Sequence, residues 1–169
     1  MEAHILPDVL QSGLKIVFCG TAAGRASAEL GCYYAHTSNK FWAILAETSL
    51  TDRKFKPYEF RELINLGIGL TDLCKNFAGS DREIQSTTEH RMMLKQKMLK
   101  FRPTYLAFTS LEAGKRYFGK TVQVGLQDSK IAETKIYVLP STSPLAAWNW
   151  TSNKHHWHDL ARLVISSDQ

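Results

Sequence analysis

An aspartate at the end of an apolar segment is the first side chain in this sequence that could do chemistry. Asp72 lies in Gly69-Leu-Thr-Asp-Leu-Cys-Lys-Asn76. A carboxylate that leaves a strand at its carboxyl end can orient a water molecule or stabilise a developing cation. Aspartate also serves as a solvated turn residue or a helix cap, and the pattern alone favours that structural role. Asp81, in Gly79-Ser-Asp-Arg-Glu83, is interpreted as a turn or cap residue.

A second stretch mixes aromatic with small and polar residues, Tyr33-Tyr-Ala-His-Thr-Ser-Asn-Lys-Phe-Trp42. Such a mixture can form a slot that stacks a flat ring while polar groups contact its edge. Phe41 and Trp42 are more simply explained as core residues. Tyr34 and Asn39 lie next to the loop that ends the first predicted strand, so these two are the candidates for ligand binding.

Hydroxyl groups between two prolines mark a third stretch, Leu139-Pro-Ser-Thr-Ser-Pro-Leu-Ala-Ala147. The prolines stiffen the loop, its hydroxyl and N–H groups could bind phosphates, and Leu145 could project as an apolar wedge. A hydroxyl-rich turn with no ligand fits the pattern equally well.

Several other kinds of site are disfavoured by the sequence. The loop Gly20-Thr-Ala-Ala-Gly24 lacks the glycines of a dinucleotide fingerprint, and no Gly-Lys-Ser/Thr follows it as in a P-loop. His155-His-Trp-His158 has poor spacing for a metal site and no second cluster to complete one. No G-x-S-x-G motif of a serine hydrolase is present.

Length and composition are those of one globular domain, predicted to span residues 1–169. The net charge of +5 permits an anionic partner such as DNA without requiring one. Three cysteines are too few for a disulfide framework. Because the sequence has no apolar run of about 20 residues and no signal peptide pattern, a cytoplasmic protein with no membrane partner is expected.

Predicted strands alternate with predicted helices along the chain. The strands are Lys15–Gly20, Leu66–Leu73, Tyr105–Thr109 and Lys135–Leu139, and the helices are Asn39–Glu47, Pro57–Leu66, Glu89–Phe101, Leu111–Phe118 and Trp157–Ile165. This alternation predicts an α/β fold with a parallel sheet covered on both faces. Ligands of such sheets bind beyond the carboxyl ends of the strands. The loops 20–34, 69–80 and 140–150 should therefore meet there.

These stretches together resemble the uracil-DNA glycosylase superfamily, most closely its branch of mismatch-specific uracil and thymine glycosylases. LKIVFCGTAAG resembles the branch's L-R-V-V-F-C-G-I-N-P-G, and YYAHTSNKFW resembles its F-A-H-P-x-N-R-F-W. GIGLTDLCK and VLPSTSPL resemble its G-x-T-x-L and V-L-P-N-P-S-G-L segments. The resemblance implies a three-layer α/β/α sandwich with a four-stranded, mainly parallel sheet. It also implies excision of a damaged base flipped out of DNA, with no metal or cofactor.

Two departures from the branch pattern bear on catalysis. The catalytic asparagine of the first motif falls on Ala22, and the asparagine of the N-P-S loop falls on Ser141. Either the protein is inactive or another residue carries the chemistry. Asp72 is the main candidate, because some superfamily branches with alanine in the first motif use an aspartate from this segment. Asn39 is the second candidate, at a position that relatives excising hypoxanthine use.

The resemblance also assigns binding roles. Tyr34 takes the place of the branch's stacking aromatic residue, and the backbone of Gly20, Thr21 and Ala22 would bind the base. The residues expected to bind DNA are Ser141, Ser143, Leu145 and Lys75.

The sequence thus predicts a monomeric, monofunctional DNA glycosylase that removes uracil, best opposite guanine, with hypoxanthine or xanthine as further substrates. It is taken as monofunctional because the first-motif loop holds no lysine for a Schiff base, although Lys40 and Lys75 remain open. Two alternatives remain: a non-catalytic module that binds damaged DNA, and a nucleoside hydrolase acting on free deoxyuridine.

Overall fold

The computed structural model describes residues 4–167, so the outermost residues of the predicted domain lie outside the described part. The strands are β1 (Ile16–Gly20), β2 (Ile68–Asp72), β3 (Tyr105–Phe108), β4 (Gly125–Ile131) and β5 (Thr134–Val138). The α-helices are α1 (Arg25–Leu30), α2 (Phe41–Glu47), α3 (Thr88–Phe101), α4 (Leu111–Phe118), α5 (Trp150–Asn153) and α6 (His155–Ser166). Two 3₁₀ helices span Pro57–Leu66 and Pro144–Asn149.

The strands form one five-stranded sheet in the order β2-β1-β3-β5-β4. The four predicted strands are its parallel members, and β4 pairs antiparallel with β5 at the edge. The resemblance implied four strands and therefore missed β4. This strand, Gly-Leu-Gln-Asp-Ser-Lys-Ile, is largely exposed and polar, so it lacks the apolar run that marks the buried strands.

Helices and loops cover both faces of the sheet, as predicted. Strand β1 is buried along its whole length, because its side chains point alternately to the two faces of the sheet and both faces are covered. Ile16 and Phe18 belong to one core cluster, and Val17 and Cys19 belong to the other. The sheet is thereby held between two apolar layers, and only its strand ends and edges are free for a site.

The helices agree with the prediction except in four places. Pro57–Leu66 is a 3₁₀ helix rather than an α-helix. Helix α1, helix α5 and the 3₁₀ helix Pro144–Asn149 were not predicted, because they are only four to six residues long and have no apolar period to reveal them. Within residues 4–167, no helix is both long and apolar enough to cross a bilayer.

Candidate active site

A cleft of about 980 Å³ opens at the carboxyl ends of β1, β2 and β3. The register of the sheet places Gly20, the last residue of β1, opposite Asp72, the last residue of β2. The loop after β5 closes another side of the cleft. The structure thus brings nine of the predicted site residues together, namely Gly20, Thr21, Ala22, Tyr34, Asn39, Asp72, Ser141, Ser143 and Leu145.

Asp72 is a buried carboxylate that lines this cleft. The residue is 6% exposed, and within residues 4–167 no group donates a hydrogen bond to its carboxylate oxygens. Burial raises the pKa of Asp72 from 3.8 to about 6, with a smaller rise from Asp8 and opposing effects of Lys75 and Lys97. The group is therefore mostly ionised at neutral pH, yet it can accept a proton readily.

Gly20 makes room for three polar groups that converge at the end of β1. A Cβ atom at this position would lie 2.8 Å from Asp72 Oδ1, 3.4 Å from the Tyr34 hydroxyl and 3.5 Å from Thr109 Oγ1. The first distance is shorter than real Cβ contacts allow. A glycine here therefore lets the carboxylate approach the backbone of β1.

Tyr34 is fixed from two sides. Its ring stacks on Phe41 with the centroids 4.0 Å apart, and its hydroxyl lies 3.0 Å from Thr109 Oγ1. The backbone of Tyr34 has φ of +51°, an uncommon conformation for a residue other than glycine. Burial, followed by the charge of Asp72, raises the pKa of Tyr34, so the phenol stays neutral. The side chain is an apolar wall with one polar tip.

Thr109 is a site residue that the sequence analysis missed. It follows β3 directly, and its N–H group donates to the Cys19 carbonyl at 3.0 Å, which brings it to the same edge as Gly20. Its position at the end of the predicted strand Tyr105–Thr109 was the available signal, because the carboxyl ends of parallel strands share this edge.

The side chain of Asn39 makes one structural hydrogen bond and leaves one polar group available to the cleft. Its Oδ1 accepts a hydrogen bond at 2.9 Å from the N–H group of Phe41, the first residue of α2, which has no partner within the helix. Among the described residues, none accepts a hydrogen bond from the Asn39 amide NH₂ group. The part of Asn39 that remains for a ligand is therefore a donor.

The loop after β1 supplies backbone donors and little side-chain volume. The N–H groups of Thr21 and Ala22 make no hydrogen bond to another described residue, whereas the Thr21 carbonyl accepts from the Cys74 N–H group at 2.8 Å. Burial raises the pKa of Asp81, and a hydrogen bond with the Thr21 side chain opposes this rise. Asp81 also lines the cleft, although its sequence context indicated only a turn or cap.

The loop after β5 is braced by its own hydroxyl groups. Ser141 Oγ accepts from the Ser143 N–H group at 3.1 Å, and Ser143 Oγ accepts from the Leu145 N–H group at 3.3 Å. Both hydroxyls keep their own proton to donate. Leu145 lines the cleft and is 84% exposed. Trp148 belongs to the same 3₁₀ helix and is 85% exposed, and its sequence context did not single it out.

Lys75 is the one predicted site residue that the structure does not bring to the cleft. Its side chain is 6% exposed, and its Nζ lies 2.9 Å from Asp8 Oδ1 and 3.0 Å from the Tyr33 hydroxyl. Asp8 Oδ2 also pairs with Lys97 at 2.7 Å. A direct contact between Lys75 and DNA would require this buried network to open.

A group of possible metal ligands lies away from the cleft, at the start of α6. Ligand atoms of His155, His156 and Asp159 lie within 4.8 Å of one another. The imidazole of His155 is bonded to the Ser152 carbonyl at 3.0 Å, and Asp159 pairs with Arg162. None of the three lines the cleft, so the expectation of a metal-free site there stays a prediction.

Comparison with known proteins bears on the fold and the family. Residues 7–163 match the family model described as the uracil DNA glycosylase superfamily. The solution NMR structure of a candidate uracil DNA glycosylase from Methanosarcina acetivorans matches with a TM-score of 0.59 and 20% sequence identity. The match covers 94% of this chain and 96% of that one. At this identity the likeness concerns the fold, and it confirms the predicted α/β sandwich.

Proposed function

The chain belongs to the uracil DNA glycosylase superfamily, and on that premise we propose that it is a monofunctional DNA glycosylase for deaminated bases. Uracil is the proposed main substrate, best when paired with guanine, and hypoxanthine and xanthine are secondary ones. The observation that carries this proposal is the Asp72 carboxylate, which is buried, lines the cleft and has no hydrogen-bond donor among the described residues.

The reaction requires stabilisation of two opposite charges. As the glycosidic bond breaks, positive charge builds on the sugar, and the bonding electron pair leaves with the base. In the proposed mechanism the Asp72 carboxylate faces the sugar and stabilises its positive charge. It also accepts a proton from the water molecule whose oxygen forms the new bond to C1′. A pKa of about 6 suits both tasks, because the group is ionised at neutral pH and still basic.

The leaving base would be held by hydrogen-bond donors from the loop after β1 and from Asn39. The unused N–H groups of Thr21 and Ala22 are suited to a pyrimidine carbonyl, and the Asn39 amide can donate to a second position on the ring. Tyr34, backed by Phe41, would stack on the base. The small side chain at Ala22 leaves space for the ring.

The monofunctional assignment is supported by the composition of the cleft. No lysine is among the described residues that line it, so an amine for a Schiff base with C1′ is missing there. Ser141 and Ser143 would hold the phosphates next to the flipped nucleotide, and Leu145 would fill the gap in the base stack.

The test is a duplex with a single uracil opposite guanine, incubated with the protein and EDTA. Scission of the labelled strand should require subsequent alkali, because a monofunctional enzyme leaves an intact abasic strand. A panel with hypoxanthine, xanthine and thymine would define the substrate range. No alkali-sensitive product with any of these bases would contradict the enzyme proposal.

A second candidate is a non-catalytic module that binds damaged DNA. Ala22 favours it, because the branch places its catalytic asparagine at this position and alanine forms no side-chain hydrogen bond. This candidate predicts tight binding to uracil-containing duplexes, with affinity that falls as salt is raised, and no base release.

A further inference from the structure

Two large apolar side chains stand out at the rim of the cleft. Leu145 and Trp148 are 84% and 85% exposed, and the next most exposed large hydrophobic residues of the described chain reach only 66%. Both belong to the 3₁₀ helix Pro144–Asn149. Side chains three residues apart eclipse in a 3₁₀ helix, so Leu145 and Trp148 lie on one face, about 6 Å apart along the axis.

Trp148 is different from the other tryptophans of the chain. Trp42 and Trp157 are 3% and 1% exposed, and Trp150 packs against the core with its ring 6.5 Å from that of Trp157. Folding thus uses these three rings as packing residues and leaves Trp148 in solvent. An exposed tryptophan beside an exposed leucine is unfavourable in the free protein and indicates a binding role.

The two residues also differ in their relation to the cleft. Leu145 lines it, whereas Trp148 does not. Leu145 therefore lies next to the cleft, and Trp148 lies farther out on the same face of the helix. In the proposed complex the flipped base occupies the cleft and Leu145 occupies the gap in the stack. The group that lies beyond the gap is the base on the other strand, which has lost its partner.

We propose that Trp148 stacks on this unpaired base of the opposite strand and makes binding depend on which base is there. This inference rests on the proposed function of the cleft, but it needs only DNA binding with base flipping and no catalysis. Purines offer a larger ring surface than pyrimidines, so guanine or adenine opposite the lesion is favoured.

The segment that carries Trp148 is preorganised for this contact. Ser143 caps the 3₁₀ helix through its Oγ, and the Ala146 N–H group donates to the Ser143 carbonyl at 3.0 Å. The Lys40 N–H group donates to the Thr142 carbonyl at 3.0 Å, which ties the loop to the start of α2. Ala146 and Ala147 separate the two apolar residues, so no bulky side chain keeps the helix away from a duplex. The stretch 140–150 contains no acidic residue to repel phosphates.

The experiment measures binding rather than turnover. Duplexes carry 2′-fluoro-2′-deoxyuridine, whose glycosidic bond resists hydrolysis, opposite guanine, cytosine or an abasic position. Fluorescence anisotropy of the labelled duplex gives the Kd. The wild-type protein should bind the guanine duplex about tenfold tighter than the abasic one, within the five- to 150-fold range measured for base–aromatic stacking.

W148A should abolish this difference and bind all three duplexes with the Kd of the abasic complex. W148F should keep part of the difference, and L145A should weaken binding to all three alike. Y58A is the matched control, because Tyr58 is also exposed, at 66%, and does not line the cleft. Trp148 makes no core contact, so thermal unfolding should be unchanged in W148A.

Equal weakening of all three duplexes by W148A would overturn the proposal and indicate a general rim contact. Unchanged binding by W148A would overturn it as well. Failure of the proposed catalytic function has a different signature, which is absence of base release from ordinary uracil by the wild-type protein.

Discussion

Two aspartates of this protein lie in opposite environments, and the contrast supports a functional role for one of them. Asp8 pairs with Lys75 and Lys97 and accepts a hydrogen bond from Thr71 at 2.7 Å. These partners outweigh burial and lower the pKa of Asp8, whereas burial raises the pKa of Asp72. A structural carboxylate is expected to be paired when buried. Burying the Asp72 carboxylate without a hydrogen-bond donor lowers the stability of the folded protein. A reaction that forms a cationic sugar would explain why the carboxylate lies there.

The first prediction concerns Asp72 itself. D72N should lower kcat for uracil release by about 100- to 10,000-fold, since the amide neither carries charge nor accepts a proton from water. In the wild-type protein, kcat should fall as the pH drops through about 6, because protonation of Asp72 removes the active form. A pH series of single-turnover rates measures both effects.

Asp81 provides the matched control for this experiment, because it is the other aspartate that lines the cleft. D81N should release uracil at nearly the wild-type rate, and that rate should still fall as the pH drops through about 6. Undiminished excision by D72N would remove Asp72 from the mechanism and shift attention to Asn39.

The second prediction separates the two tasks of Asn39. N39D keeps the oxygen that caps Phe41 but loses the amide donor, whereas N39A loses both. N39D should therefore melt like the wild type and release uracil at least tenfold more slowly. N39A should be slower and also less stable, by about 1 kcal/mol, the usual net contribution of one hydrogen bond. Equal rates for N39D and wild type would restrict Asn39 to its hydrogen bond with the Phe41 N–H group.

At the scale of elements, the site is produced by parallel strands that end at one edge. β1, β2 and β3 deliver Gly20, Asp72 and Thr109 within a few ångströms, although they are far apart in sequence. The four parallel strands were predictable, because each is a short apolar run. β4 and α1 were not predictable, because β4 is stabilised by pairing with β5 and α1 is too short to show an apolar period.

The third prediction tests the close approach at the end of β1. G20A would place a methyl group 2.8 Å from Asp72 Oδ1, and the carboxylate must then move or rotate. Uracil release should fall at least tenfold, while the far-UV circular dichroism spectrum stays unchanged. G24A is the control from the same loop, because a Cβ atom there has no neighbour within 4 Å and the backbone is unstrained. A G20A protein as active as G24A would contradict this account.

At the scale of the whole molecule, two apolar layers bury the sheet and, with it, the Asp72 carboxylate. The folded state holds the Asp72 proton more tightly than the unfolded chain does, since the pKa rises from 3.8 to about 6. The energetic cost of the buried charge is absent below about pH 4 and grows as the pH rises through 6. The difference in pKa corresponds to about 3 kcal/mol of unfolding free energy at neutral pH.

The fourth prediction follows from this cost. D72N removes the charge at every pH. The Tm of D72N should therefore exceed that of the wild type by more at pH 8 than at pH 4. The change in the Tm difference between the two pH values should be about 6 °C or more for a domain of this size. Thermal unfolding of both proteins at the two pH values measures it. A pH-independent Tm difference would show that Asp72 is not charged and buried in the folded protein.

The sequence by itself determined the α/β class, the four parallel strands and nine residues that meet in one cleft. It could do so because apolar runs define buried strands and because the carboxyl ends of parallel strands share an edge. The motif order then indicated the family that the match over residues 7–163 shows.

Only the tertiary structure decided which polar groups are free. Lys75 lies three residues after Asp72 in sequence, yet its ammonium pairs with Asp8 and does not line the cleft. Thr109, Asp81 and Trp148 reached the cleft or its rim without a sequence motif. Hydrogen-bond pairing and burial depend on residues brought together from distant parts of the chain. The pKa of Asp72 depends on the whole fold for the same reason, so it cannot be predicted from the local sequence.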